Sequence, residues 1–192
     1  MFLVLPRFRI RVSVFALPSL LVMLWLEGLL PFLILMLSAL VHEVGHIIAI
    51  RALGYRARRI DILPMGALIV CPEGVPYLHE TVIALAGPVF SLSASAVVFC
   101  MYLITSDVYL FFAAFVNLLL GAFNLMPIEK LDGGKALCCF LLYKNKESCE
   151  KISSAASLTF EIFVFAVAAA AIITSGCNPG AVLLSAALLL QL

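Results

Sequence analysis

From Thr81 to Ser106, and again from Val108 to Ile128, the chain carries no charged side chain. Each stretch reaches the length of about 20 apolar residues that an α-helix needs to cross a hydrocarbon core about 30 Å thick. Two such stretches in 192 residues leave little room for a water-soluble fold. Hydrophobic residues make up 65% of the chain and charged residues 12%, with a mean hydropathy of +1.19, against roughly half and a quarter in a typical globular protein. Backbone N–H and C=O groups in lipid must be satisfied within their own segment, so the apolar runs are expected to be helices.

Extending this reading places spans at about residues 12–30, 31–54, 80–104, 108–128, 152–174 and 180–192. The last covers only about 20 Å and would be tilted or half-inserted. The expected fold is an all-α polytopic membrane protein of about six transmembrane helices, forming one membrane-embedded domain over residues 1–192. Arg7, Arg9 and Arg11 precede a first span that lacks a signal-peptide cleavage site, so it is read as retained. Residues 58–71, RRIDILPMGALIVC, are rich in β-branched side chains and interrupted by Pro64 and Gly66, which predicts a short β strand or hairpin at the membrane surface. A free strand edge there could accept an extended peptide by strand addition.

Charge placement orients the chain. Arg7, Arg9 and Arg11 lie before the first span, Arg51, Arg56, Arg58 and Arg59 after the second, and Lys130, Lys135, Lys144, Lys146 and Lys151 between the fourth and fifth. The opposite loops, near Glu27, Asp107 and Asn178, hold no Lys or Arg, so the N-terminus and both basic loops are expected in the cytoplasm. A net charge of +1 with no basic patch gives no support to nucleic-acid binding. Cys71, Cys100, Cys138, Cys139, Cys149 and Cys177 lack C-x-x-C spacing and read as apolar fillers or free thiols.

The chemistry concentrates in the second span, at His42-Glu43-Val44-Gly45-His46. Residues four apart lie one turn above each other on a helix, so both imidazoles can reach one Zn²⁺ while Glu43 stands beside the open coordination position as general base. Three ionisable residues within five positions of a membrane helix are costly, by about 2.5–3.5 kcal/mol for a charged side chain on insertion scales, and indicate function. A catalytic zinc takes a third protein ligand. Asn124-Leu125-Met126-Pro127-Ile128-Glu129-Lys130-Leu131-Asp132-Gly133-Gly134 offers Asp132 and Glu129. Pro127 ends the helix and the glycine pair permits a tight turn. His79 and Glu80 read as interfacial residues, whereas Glu161, near the middle of the fifth span, either lines a substrate path or binds a neighbouring helix.

Together, H-E-V-G-H and N-L-M-P-I-E-K-L-D-G-G, in that order and on separate spans, resemble the site-2 protease family of intramembrane metalloproteases. The resemblance extends over about residues 7–137 through Leu53-Gly54-Tyr55, Leu63-Pro64-Met65-Gly66 and Ala86-Gly87-Pro88. It implies that His42, His46 and Asp132 hold one Zn²⁺ per chain, that Glu43 is the general base, and that Asn124 orients the substrate or stabilises the oxyanion. Within the family the compact arrangement is similar to the sporulation members, which process a mother-cell sigma-factor precursor. That implies a membrane-associated protein substrate cut by regulated intramembrane proteolysis and, as partners, inhibitory membrane proteins. A C-terminal nucleotide-sensing domain, present in many sporulation members, is not expected. Ser91 stands where many relatives have Asn, and Glu129-Lys130 replaces a more apolar pair. A general site-2 protease acting on a transmembrane anti-sigma factor, and a non-proteolytic zinc transporter or scaffold, are the competing readings. A transporter would show paired metal sites and repeated halves, and the sequence shows neither.

Overall fold

The computed structural model describes residues 2–5, 10–13, 18, 20–21, 24–25, 28–56, 59–63, 66–70, 74–144, 152, 154–160 and 162. Helix α1 (Leu29–Ala52) carries the second expected span. Glycines in left-handed conformation bracket it, Gly28 at φ 81° and Gly54 at φ 82°. At its end Tyr55 N–H bonds to the Ile50 carbonyl at 2.9 Å and Gly54 N–H to that of Arg51 at 3.0 Å, the paired bonds of a glycine cap. Arg51, in the last turn, places a cation against the helix dipole.

Helix α2 (Tyr77–Thr105) has 29 residues, about 44 Å at 1.5 Å per residue, and so exceeds the hydrocarbon thickness. Helix α3 (Val108–Asn124) is shorter, with 17 residues. Asp107 caps it by accepting the Tyr109 N–H at 2.7 Å. The chain then leaves helical geometry around Pro127 before helix α4 (Asp132–Tyr143) begins. Among the described residues, α1 and α2 are long and apolar enough to cross a membrane, and α3 is a shorter apolar helix. The expected sixth span lies outside the described residues, as does most of the fifth, including Glu161; residues 152, 154–160 and 162 of the fifth are helical.

The helices are arranged with apolar residues outward. Leu33, Leu37, Leu40, Val44 and Ile48 recur every three or four residues along α1 and are exposed, while Ser38, His42, Gly45, His46 and Ile50 are buried. This reversal of a soluble helix suits a lipid surround, where close backbone packing and interhelical hydrogen bonds hold helices together. Gly45 lies so near α2 that a Cβ there would come within 2.8 Å of the Ala86 carbonyl oxygen and the Phe90 side chain. Between α2 and α3, Ser95 donates to the Ala114 carbonyl at 2.7 Å, and between α3 and α1, Asn117 Nδ2 donates to Ser38 Oγ at 2.8 Å.

Four strands, β1 (Phe2–Leu5), β2 (Ile10–Ser13), β3 (Arg59–Leu63) and β4 (Gly66–Val70), form one sheet in the order β1-β2-β3-β4. β1 pairs with β2 antiparallel, β2 with β3 parallel, and β3 with β4 antiparallel from Arg59 opposite Val70 to Leu63 opposite Gly66. The N-terminal pair is additional to the expected strand region, and because β2 includes residues 12 and 13 the first span cannot begin at residue 12. β4 lies against α1, which brings the sheet edge beside the helix that carries the histidines.

Candidate metal centre

Helical spacing stacks His42 and His46 on the buried face of α1, with ring centroids 5.0 Å apart. Asp132 meets them from the first residue of α4. Its Oδ2 lies 3.0 Å from His42 Nε2 and 3.2 Å from His46 Nε2, and the two Nε2 atoms are 3.3 Å apart. Ligands about 2.0–2.1 Å from a tetrahedral Zn²⁺ stand about 3.3 Å from one another, so these three atoms outline one face of such a site. Two imidazole nitrogens and a carboxylate oxygen are also a donor set that zinc accepts. Among the described residues, this is the group able to hold a metal, and Glu129 is not part of it. Glu129 is exposed, with its backbone N–H on Ser157 Oγ at 3.1 Å.

The delivery of Asp132 depends on the irregular segment before it. Ile128 is buried, and the backbone of residues 125–131 folds back so that α4 starts directly against it. A Cβ at Gly133 would strike the Leu125 carbonyl, and one at Gly134 the Ile128 carbonyl. The glycine pair is therefore a packing requirement beneath the carboxylate, beyond its freedom to turn. Lys135, one turn further, approaches Asp132 Oδ1 at 3.6 Å. Burial opposes the Asp132 charge, yet hydrogen bonding to His42 and His46 and the Lys135 ammonium outweigh it and hold the carboxyl well below the ordinary carboxylate range. A metal ligand has to be deprotonated in this way.

Helix α2 closes the other side. His46 Nδ1 lies 2.8 Å from the Ile83 carbonyl oxygen and His42 Nδ1 3.0 Å from Ser91 Oγ. Gly87, midway between those two partners, has no side chain, and a Cβ there would collide with His46 Nε2 and crowd His42 Nε2. One face of α2, read at residues 83, 87 and 91, thus supplies a carbonyl, a space and a hydroxyl to the histidines. In the sequence, Gly87 and Ser91 stand out only as points of family likeness and departure. Their four-residue spacing on a span was the available signal.

Glu43 is half-buried on α1 between the two histidines in sequence. Asn124 ends α3, where its amide nitrogen donates to the Leu120 carbonyl at 2.9 Å. His79, expected to be interfacial, is half-buried and hydrogen-bonded with Tyr55 Oη at 2.9 Å, and Cys139 Sγ donates to Glu80 at 3.3 Å. Cys100 is exposed and Cys138 half-buried, while Cys71, Cys149 and Cys177 lie outside the described residues.

The sequence profile of Peptidase family M50 matches residues 31–108 and 103–168. The chain is 31% identical over 122 residues to Zinc metalloprotease MJ0392 of Methanocaldococcus jannaschii, covering 59% of this chain and 34% of that protein. It is 32% identical over 127 residues to Stage IV sporulation protein FB of Bacillus subtilis, covering 62% and 42%. Among solved structures, the Site-2 Protease from Methanocaldococcus jannaschii superimposes with a TM-score of 0.64 at 25% identity, over 90% of this chain and 87% of that one. The chain therefore spans between a third and a half of the length of these curated relatives.

Proposed function

Because the chain belongs to Peptidase family M50, the site-2 proteases, we propose that it is an intramembrane zinc metalloendopeptidase that hydrolyses a peptide bond of a membrane-associated protein. The observation that carries this reading is the buried triangle of His42 Nε2, His46 Nε2 and Asp132 Oδ2, with edges of 3.0, 3.2 and 3.3 Å. These residues hold one Zn²⁺, which supplies Lewis acidity and brings the pKa of a water toward about 7. Glu43 accepts the proton of the attacking water as its oxygen adds to the scissile carbonyl carbon, then delivers that proton to the leaving amine. Asn124, freed from Leu120, donates its amide to the substrate backbone or to the developing oxyanion.

A helical substrate hides its carbonyls in its own hydrogen bonds, so it must unwind first. β4, an edge strand among the described residues and packed against α1, offers a backbone on which an extended segment can pair. The basic loops support a multi-pass topology with the N-terminus and the segment around Lys130 and Lys135 in the cytoplasm and the site reached from that side. The substrate class we favour is a membrane-tethered sporulation sigma-factor precursor, supported by the similarity to Stage IV sporulation protein FB. Inhibitory membrane proteins would then be natural partners. A transmembrane anti-sigma factor, expected of a general site-2 protease, uses the same chemistry.

Co-expression with candidate sigma-factor precursors and anti-sigma factors, comparing the intact protein with Glu43→Gln, tests the reading. A precursor shortened by the intact protein and left whole by the variant is the expected result. Cleavage of an anti-sigma factor alone would reassign the substrate. Cleavage that persists in Glu43→Gln would remove Glu43 from the mechanism; cleavage that also persists in Asp132→Asn would have to come from another site and would favour a transporter or scaffold.

A further inference from the structure

The two histidines present Nε2 to the metal position, but their outer nitrogens meet chemically different partners on α2. His46 Nδ1 faces a carbonyl oxygen at 2.8 Å, a group that accepts and cannot donate. His46 therefore donates from Nδ1 to that carbonyl, the form that a ligand bound through Nε2 takes. His42 Nδ1 faces a hydroxyl at 3.0 Å, and a hydroxyl does both. A ligand bound through Nε2 carries its proton on Nδ1, and at that nitrogen of His42 the Ser91 hydroxyl can accept it.

We propose that Ser91 is the positioning residue that holds His42 as a metal ligand, its buried hydroxyl accepting the Nδ1 proton while Nε2 faces the metal position. This inference rests on the metal-centre reading above. Ser91 has 0% exposure, so no solvent stands ready to replace its hydroxyl. An alanine there leaves Nδ1 with nothing to receive its proton and favours the Nε2–H form, which occupies the metal position.

Zinc affinity measured by chelator competition on purified, detergent-solubilised protein tests the proposal, with the absorption spectrum of the Co²⁺-loaded protein as a second readout. Ser91→Ala is expected to weaken zinc binding about 10–100-fold and to alter the Co²⁺ bands. Ser95→Ala removes a buried hydroxyl one turn along the same helix that bonds the Ala114 carbonyl and no ligand, and is expected to leave both unchanged. Equal affinity in Ser91→Ala and the parent, or equal losses in the two variants, would overturn the role of Ser91 while leaving the metal centre standing. A parent protein that binds no zinc would bring down the metal centre itself. Should Ser91→Ala not fold, imidazole ¹⁵N and N–H proton shifts of the zinc-loaded parent decide: the His42 proton should sit on Nδ1 in a slowly exchanging hydrogen bond, and an Nδ1 proton that exchanges freely with solvent contradicts the proposal.

Discussion

His42, His46 and Asp132 share one buried point from two separate helices, and their chemistry can be divided residue by residue. Glu43→Gln preserves side-chain size but cannot accept the water's proton, so zinc content should stay near one per chain while cleavage falls about 10²–10⁴-fold. Metal analysis and a cleavage assay on the same preparation check this together. Asp132→Asn removes the anionic oxygen that both imidazoles contact, and should lose zinc as well as turnover. Glu129→Gln, at an exposed carboxylate outside the triangle, should retain both. Zinc loss in Glu129→Gln but not in Asp132→Asn would transfer the third ligand to Glu129. On chemistry alone these two carboxylates were equivalent. The backbone of residues 125–131 separates them, because it turns Asp132 under α1 and leaves Glu129 outside.

Among the elements, α2 acts as the template against which the ligands are set. Gly87→Ala should place a methyl against both imidazoles and abolish zinc binding while the protein remains helical by circular dichroism. Gly121→Ala meets the Leu92 side chain and the Pro88 carbonyl at about 3 Å, between α2 and α3. It should cost about 1–3 kcal/mol of packing and leave zinc affinity near that of the parent. If both substitutions reduced zinc equally, the special position of Gly87 would be lost. The helices that carry the site were legible because apolar length and the four-residue spacing of His42 and His46 are local signals. The sheet's N-terminal half was not. Ile10-Arg11-Val12-Ser13 alternates apolar and polar side chains in the two-residue period of a strand, but Arg11 is equally a topology signal ahead of an apolar run, and four residues do not distinguish the two. The parallel pairing of β2 with β3 joins segments nearly fifty residues apart, a contact that no local pattern encodes. The Ser91 hydrogen bond spans 49 residues and was hidden for the same reason.

At the scale of the whole molecule, an inward polar set and an outward leucine stripe place the metal centre within a bilayer-facing bundle. Loop charges then predict its sidedness. Single cysteines introduced at Lys135 and Asp107 in a background without native cysteines should be labelled by membrane-impermeant reagents from opposite sides, Lys135 only after cytoplasmic access is opened. External labelling at position 135 would reverse the orientation and with it the side from which substrate reaches the site. Peptide hydrolysis is expected to depend on a metal held by His42, His46 and Asp132. The most direct test is to reconstitute the purified chain in liposomes with a cleavable membrane-tethered substrate, strip it with a chelator, and titrate zinc back while following product. Cleavage should vanish on stripping and return in proportion to added zinc until one equivalent per chain is bound; undiminished cleavage by the verified metal-free protein would contradict the account.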